Sequence, residues 1–129
     1  MKLWITAFAL LALLTGCGNT ERNAAAYRQI NSSDAAAMMA SEANYILLDV
    51  RTQEEYAHAH IPGAICIPNE TIGSEEIPEL PDKDQLILVY CRSGNRSKQA
   101  AEKLVKLGYT NIVEFGGILD WTGETVAGE

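Results

Sequence analysis

The chain has 129 residues, which is enough for one folded domain beside a short targeting segment. Hydrophobic residues make up 47% and charged residues 21%, proportions typical of a chain that buries a core and unlike those of a disordered protein. The net charge is −7 and the basic residues are scattered, which argues against a nucleic-acid partner. The three cysteines form no CxxC pair and have no metal-ligand spacing with a histidine, so we expect neither a metal site nor a disulfide-stapled miniprotein.

The N-terminal segment is typical of an export signal. Lys2 precedes the apolar run LWITAFALLALL, which is shorter than the ~20 residues that a membrane-spanning helix needs and has the length of a signal-peptide core. The run leads into Leu14-Thr15-Gly16-Cys17, and this sequence resembles the lipobox of bacterial lipoproteins. A plain secretory signal with an incidental cysteine is the alternative.

The lipobox resemblance implies a boundary at Cys17. Residues 1–16 would be a lipoprotein signal peptide, and Cys17 would carry the lipid chains that anchor the protein to a membrane. The polar stretch 17–26 would then be a flexible tether, and 27–129 would form the folded domain. We expect this domain to lie outside the cytoplasm, at the periplasmic or outer face of a bacterial cell envelope.

Five short apolar stretches indicate strands of a sheet, namely 27–30, 45–50, 64–67, 86–90 and 112–115. Two of them, YILLDV and LILVY, are nearly continuous apolar runs. That pattern is typical of strands buried on both faces of a parallel sheet that helices cover.

Three segments between these strands have helix signals. Ser32 and Ser33 can cap a helix that extends through Ala40, and the sequence TQEE at 52–55 is a capping box. The segment 97–107 places alanines and leucines on one face and ends at a glycine. Because strands and helices alternate, the sequence predicts an α/β domain with a parallel five-stranded sheet and helices on both faces.

The most informative feature is the sequence CRSGNRS at 91–97, between a buried strand and an amphipathic helix. A tight loop at such a position directs backbone N–H groups, together with the positive end of the helix, at a bound anion. Gly94 permits the sharp turn, while Arg92 and Arg96 supply charged donors. These groups favour a thiolate at Cys91, which makes this residue a candidate nucleophile. The alternative is that Cys91 is a small apolar residue at the end of a core strand.

Four motifs, in order along the chain, resemble those of the rhodanese family. CRSGNRS is similar to the active-site loop, and LLDVR at 47–51 is similar to the end of a strand. HIPGAICIP at 60–68 resembles the HIPGAxxIP segment, and GGILDW at 116–121 resembles the closing GGxxxW. Together the motifs are spread from residue 47 to residue 121, through most of the stretch 27–121. The resemblance implies a rhodanese-like α/β fold for 27–129.

The resemblance also implies an enzyme, a thiosulfate sulfurtransferase without a cofactor or metal. Cys91 would attack the outer sulfur of an anionic donor such as thiosulfate, release sulfite and carry a persulfide, which a thiol or cyanide would accept. Backbone N–H groups of the loop would hold the persulfide, and the two arginines would attract the donor. The expected substrate-binding residues are Arg92, Ser93, Gly94, Asn95 and Arg96. No feature of the sequence requires more than a monomer.

Other residues have supporting or structural interpretations. Asp49 and Arg51 lie at a strand end, and the resemblance makes them supports of the site, whereas an ordinary surface ion pair is the alternative. His60, before Ile-Pro-Gly, is more typical of a turn-stabilising hydrogen bond than of a Cys–His dyad. Trp121 is expected to pack the C-terminal segment over the core.

Cys66 has two interpretations. It lies in the HIPGAICIP segment, at a position where we expect asparagine in many relatives. It is either a buried, inert thiol or a resolving partner that forms a disulfide with Cys91 or clears its persulfide.

Two other functions share the expected fold. Dual-specificity phosphatases and arsenate reductases have loops that resemble C-x5-R, one residue longer than here, where Arg96 is five positions after Cys91. They usually have histidine before the cysteine, where this chain has Tyr90. We therefore expect the loop to be too small for a phosphate-sized anion. A rhodanese module kept as a persulfide carrier or regulatory domain is the second alternative.

Overall fold

Five strands form one parallel sheet in the computed structural model, which describes residues 26–128. They are β1 (Arg28–Gln29), β2 (Tyr45–Asp49), β3 (Ile65–Cys66), β4 (Leu86–Cys91) and β5 (Ile112–Gly117). Their spatial order is β1-β5-β4-β2-β3, and every neighbouring pair is parallel. The carboxyl end of β4, at Cys91, therefore lies at the centre of the sheet.

Three α-helices lie between these strands along the chain. They are α1 (Ser32–Ser41), α2 (Gln53–His58) and α3 (Asn95–Lys106). Two single turns of 3-10 helix cover Asn69–Thr71 and Ile118–Asp120.

The core is divided between the two faces of the sheet. On one face, Ala100, Ala101 and Leu104 of α3 pack against alternate residues of β2 and β4. On the other face, Ala35 of α1 packs against the residues between them, in a cluster that includes Tyr90. Because successive side chains of a strand point to opposite faces, covering both faces requires apolar residues throughout. The predicted α/β class, the parallel five-stranded sheet and the helices on both faces are confirmed.

The predicted cap of α1 is wrong by one residue. The side chain of Asn31 accepts the N–H of Asp34 at 2.7 Å, so Ser32 and Ser33 lie inside the first turn. Asparagine in extended backbone accepts this bond as well as serine does. The run of consecutive polar residues therefore left the position of the cap ambiguous.

The predictions for the N-terminus concern residues outside the described range. The signal peptide at 1–16 and the acylated Cys17 lie there, as does nearly all of the tether 17–26. Within residues 26–128, no helix combines the length and the apolar character needed to cross a membrane. The lipid anchor at Cys17 stays a prediction.

Candidate active site

The loop after β4 lies at the carboxyl end of the central strand. Cys91 is the last residue of β4 and is 1% exposed, and α3 begins at Asn95, ahead of the predicted start at Ser97. The helix begins early because Gly94 precedes it with a φ of +112°, a left-handed conformation that favours glycine and leaves no side-chain signal. The positive end of α3 consequently lies next to Cys91.

The sulfur of Cys91 contacts two polar groups. The backbone N–H of Gly94 donates to Sγ at 3.0 Å. The hydroxyl oxygen of Ser97, a fully buried residue, lies 3.5 Å from Sγ. A backbone N–H and the partial charge of a helix N-terminus both stabilise an anionic sulfur. Of the predicted substrate-binding residues, Gly94 is thus brought into contact with the nucleophile.

The other side chains of the loop point either to solvent or towards α2. Arg92, Ser93 and Asn95 are exposed, so the guanidinium of Arg92 can meet an anion that arrives from solvent. The C=O of Arg92 accepts the N–H of Leu119 at 3.2 Å, which ties the loop to the segment after β5.

Arg96 is paired with a residue to which the sequence analysis assigned only a capping role. Its guanidinium donates to both carboxylate oxygens of Glu55, at 2.8 and 3.0 Å. Glu55 also completes the predicted capping box of α2, because it exchanges hydrogen bonds with Thr52. The hydrogen bond from Arg96 is the main cause that lowers the pKa of Glu55 to about 2. Arg96 therefore fixes the loop against α2 and is held by a carboxylate.

Glu55→Gln is expected to cost about 1 kcal/mol of unfolding free energy at neutral pH, the scale of a partly exposed ion pair. The folded protein lowers the pKa of Glu55 from 4.5 to about 2. Its contribution to stability is therefore complete above ~pH 5 and is lost as the pH falls towards 2. Thermal unfolding temperatures of the wild type and the variant should differ at pH 7 and converge near ~pH 2.5.

The matched control is Glu54→Gln, which removes an exposed carboxylate from the same helix. This variant should differ little from the wild type at either pH. A deficit of the Glu55→Gln variant that is as large at acid pH as at neutral pH would contradict the role of the ion pair.

Gly117 allows the segment after β5 to approach the loop closely. Its φ of −136° is ordinary extended backbone, so conformational freedom is not the reason for glycine here. A Cβ built on Gly117 would overlap the carbonyl group of Arg92 and lie 2.6 Å from Cα of Ser93. The GGILDW motif therefore packs against the backbone of the loop that carries Cys91.

Asp49 and Arg51 form a buried ion pair and not an ordinary surface one. Asp49 is fully buried and Arg51 is 5% exposed, with 2.7 Å between Nη2 and Oδ2. Arg51 also donates to the C=O of Ala59 at 2.6 Å. The hydroxyl of Tyr90 donates to the Asp49 carboxylate at 2.9 Å. The ion pair therefore holds the side chain of Tyr90, the residue directly before Cys91.

His60 and Trp121 have structural environments. Nδ1 of His60 lies 2.8 Å from the C=O of Tyr56, and the two rings stack with centroids 3.7 Å apart. Trp121 packs against Phe115 with ring centroids 6.2 Å apart, and its indole N–H donates to the C=O of Glu124 at 3.0 Å. The expected hydrogen bond of His60 and the expected packing of Trp121 are both confirmed.

Cys66 lies too far from Cys91 for a disulfide between them. Cys66 of β3 aligns with Asp49 of β2, and Asp49 aligns with Tyr90 of β4. Two strand spacings, or roughly 9.5 Å, therefore separate Cys66 from Tyr90, the neighbour of Cys91. Because side chains alternate along a strand, the two cysteines also face opposite sides of the sheet. A disulfide needs Cα atoms within about 7 Å. Burial raises the pKa of Cys66 to about 11, which favours the inert thiol.

Glu114 is a buried residue of the site that the sequence analysis missed. It is 2% exposed, and its Oε2 accepts the hydroxyl of Ser97 at 2.5 Å and the N–H of Gly116 at 2.9 Å. Nζ of Lys98 lies 3.9 Å from the other carboxylate oxygen. The one sequence signal was a charged residue inside an otherwise apolar strand, two positions before the GGILDW motif.

Comparison with known proteins identifies the family. Residues 31–124 match the family described as rhodanese-like domain. The thiosulfate sulfurtransferase PspE of Escherichia coli (strain K12) is 40% identical over 73 residues, which cover 57% of this chain and 70% of PspE. A sulfurtransferase of Allochromatium vinosum is 36% identical over 94 residues, which cover 72% of this chain and 86% of that protein.

A solved structure described as a rhodanese with anions from E. coli has the same fold. It superposes with a TM-score of 0.60 at 37% identity and covers 65% of this chain and 99% of its own. The family match spans the loop, the buried ion pair and the closing glycines described above. The chain therefore belongs to the rhodanese-like domain family, whose relatives include sulfurtransferases.

Proposed function

We propose that this chain is a sulfurtransferase that moves a sulfane sulfur from thiosulfate or a similar anion, through a persulfide on Cys91, to a thiol or cyanide. The observation that carries the proposal is the position of the Cys91 sulfur, 3.0 Å from the N–H of Gly94 at the start of α3. Membership of the rhodanese-like family and similarity to a thiosulfate sulfurtransferase support it. The reaction needs no cofactor because Cys91 itself carries the sulfur.

The reaction divides into two half-reactions. The Cys91 thiolate attacks the outer sulfur of thiosulfate, a new S–S bond forms, the S–S bond of the donor breaks, and sulfite leaves with the electron pair. The persulfide is anionic at its outer sulfur, so the N–H of Gly94 and the positive end of α3 stabilise it as they stabilise the thiolate. The acceptor then attacks the outer sulfur, and Cys91 leaves as the thiolate.

Basic side chains beside the loop support an anionic donor, although the chain carries a net charge of −7. Arg92 is exposed to solvent, which makes it the strongest candidate to attract the donor. Arg96 adds positive charge, but both terminal nitrogens of its guanidinium donate to the carboxylate of Glu55. This pairing gives no support to a phosphatase or an arsenate reductase, which would need an arginine turned towards the oxyanion.

Gly117→Ala is expected to lower the rate of sulfur transfer at least ~10-fold. The added Cβ overlaps backbone atoms of Arg92 and Ser93, which cannot rotate away, so the loop shifts and the N–H of Gly94 moves from the sulfur. Sulfite release from thiosulfate measures the effect, with circular dichroism as a check of the fold. Gly73→Ala is the matched control, because a Cβ there has no atom within 4 Å. Equal rates for the two variants would contradict this role of Gly117.

We also propose that lipid chains on Cys17 anchor the domain to the extracytoplasmic side of a bacterial membrane. The sequence LTGC after an apolar run supports this proposal. Fractionation of cells that express the full-length chain tests it. The Cys17→Ala variant should be absent from the membrane fraction. A variant that stays in that fraction would contradict the lipid anchor at Cys17.

Steady-state kinetics distinguish an enzyme from a persulfide carrier. With thiosulfate and cyanide in excess, we expect many equivalents of thiocyanate per Cys91 and ping-pong kinetics. A carrier or regulatory module would load once and stop. Release of a single equivalent of sulfite, with no further release in the presence of cyanide or a thiol, would show that the protein is a persulfide carrier and not an enzyme.

A further inference from the structure

We propose that Glu114, through its negative charge and by engaging the hydroxyl of Ser97, holds Cys91 in its thiol form when Cys91 carries no sulfur. The inference rests on the proposed function, in which the Cys91 thiolate is the nucleophile. Glu114 belongs to β5 and Ser97 to α3, the two elements that lie beside and after the loop. Both are positioning residues, because they act on the sulfur and not on the donor.

Glu114 occupies a strand position where the neighbouring residues are apolar. It aligns with Val89 of β4, which is fully buried, and is itself 2% exposed. A buried carboxylate is tolerated only where it is paired or hydrogen-bonded. Three groups provide this here: the hydroxyl of Ser97 at 2.5 Å, the N–H of Gly116 at 2.9 Å and the ammonium of Lys98 at 3.9 Å.

The hydroxyl of Ser97 has one proton and four polar neighbours. They are Sγ of Cys91 at 3.5 Å, the C=O of Gly94 at 3.0 Å, the C=O of Gly116 at 3.3 Å and the carboxylate of Glu114 at 2.5 Å. The carboxylate is the nearest acceptor and, being charged, the strongest. The proton therefore lies towards Glu114, and the lone pairs of the Ser97 oxygen face the thiol of Cys91.

This arrangement opposes ionisation of Cys91 in two ways. The charge of Glu114 repels a thiolate, and the Ser97 hydroxyl cannot donate to the sulfur while it donates to the carboxylate. The positive end of α3 and the guanidinium of Arg96 act in the opposite direction, and the ammonium of Lys98 offsets part of the charge of Glu114. When Cys91 ionises, its S–H bond breaks and the proton passes to a base from solvent.

The persulfide of Cys91 is affected less than the thiolate. Its charge lies on the outer sulfur, one S–S bond of ~2.05 Å beyond Sγ. Repulsion from Glu114 falls with distance, so the loaded site keeps an anionic sulfur. Glu114 therefore disfavours the thiolate only while Cys91 carries no sulfur. The thiolate is the reactive form that oxidants attack.

Glu114→Gln tests the inference, because the amide keeps the size of the side chain and removes its charge. We expect Cys91 of the full-length variant to react with iodoacetamide about 10-fold faster than wild-type Cys91 near pH 6, and equally fast where both are fully ionised. Iodoacetamide is neutral, so binding of an anion does not affect the comparison. Peptide mass spectrometry assigns the label to Cys91. Glu102→Gln, an exposed carboxylate of α3, is the matched control and should leave the rate unchanged.

A double-mutant cycle separates the effect of the Ser97 hydroxyl from the effect of the Glu114 charge. Ser97→Ala alone should change the rate little, whereas in the Glu114→Gln background it should remove part of the gain, because only there does the hydroxyl donate to the sulfur. Should Glu114→Gln fail to fold, Glu114→Asp is the second variant. Its shorter carboxylate cannot keep its contact with Ser97, and we expect a smaller gain.

A Glu114→Gln rate equal to that of the wild type at every pH would overturn the inference. A slower rate would overturn it as well and would make Glu114 the acceptor of the thiol proton. Alkylation needs no sulfur donor, so the result does not depend on whether the protein transfers sulfur. Failure of this inference and failure of the proposed function are thereby distinguishable.

Discussion

Cys91→Ser is expected to lower sulfur transfer by more than ~10³-fold and to leave the fold intact. A serine hydroxyl is un-ionised at neutral pH and does not carry a sulfane sulfur, so the first half-reaction is lost. The two side chains are nearly equal in size, and Cys91 is 1% exposed within a packed cluster, so serine fits the same space. Thiocyanate formation from thiosulfate and cyanide measures the activity, and thermal unfolding checks the fold.

Cys66→Ser is the matched control for this experiment. Cys66 faces the other side of the sheet, and burial raises the pKa of its thiol to about 11. We expect this variant to keep the wild-type rate. Unchanged activity of Cys91→Ser, or an equal loss in Cys66→Ser, would contradict the assignment of the nucleophile.

Asp49→Ala is expected to lower the free energy of unfolding by about 3–5 kcal/mol, the scale for breaking a buried ion pair. The change leaves the guanidinium of Arg51 buried without its counter-charge, and it removes the acceptor of the Tyr90 hydroxyl. An unpaired buried charge costs more than the attraction that was lost. Urea denaturation measures the effect.

Asp120→Ala removes an exposed carboxylate and is the control for this change. Its effect should stay within about 0.5 kcal/mol. If the two variants were equally stable, the Asp49–Arg51 pair would be an ordinary surface interaction in energetic terms. Because Tyr90 precedes Cys91, we also expect Asp49→Ala to lower the rate of sulfur transfer at temperatures where the variant is folded.

Most of the fold could be predicted because its signals are local. YILLDV and LILVY are apolar at nearly every position, and strands with both faces covered account for that pattern. The capping box at 52–55 gave the start of α2, because both of its hydrogen bonds join residues three apart. The start of α3 was placed too late, because Gly94 caps that helix with its backbone conformation and gives no side-chain signal.

The partners of the site residues could not be predicted. Cys91 and Gly94 are neighbours in one loop, so their contact follows from its sequence. Arg96 and Glu55 are separated by 41 positions, and Ser97 and Glu114 by 17. Such contacts depend on how strands and helices pack. The sequence therefore indicated a free Arg96, whereas the folded protein pairs it with a carboxylate.

Intact-mass spectrometry of the reduced full-length protein, incubated with thiosulfate, tests the central claim most directly. We expect the gain of one sulfur atom, mapped by peptide analysis to Cys91 and removed by cyanide. The same treatment of Cys91→Ser should give no gain. A folded, reduced protein that gains no sulfur from thiosulfate or another sulfane donor, or that gains it at Cys66, would contradict a sulfurtransferase that works through a Cys91 persulfide.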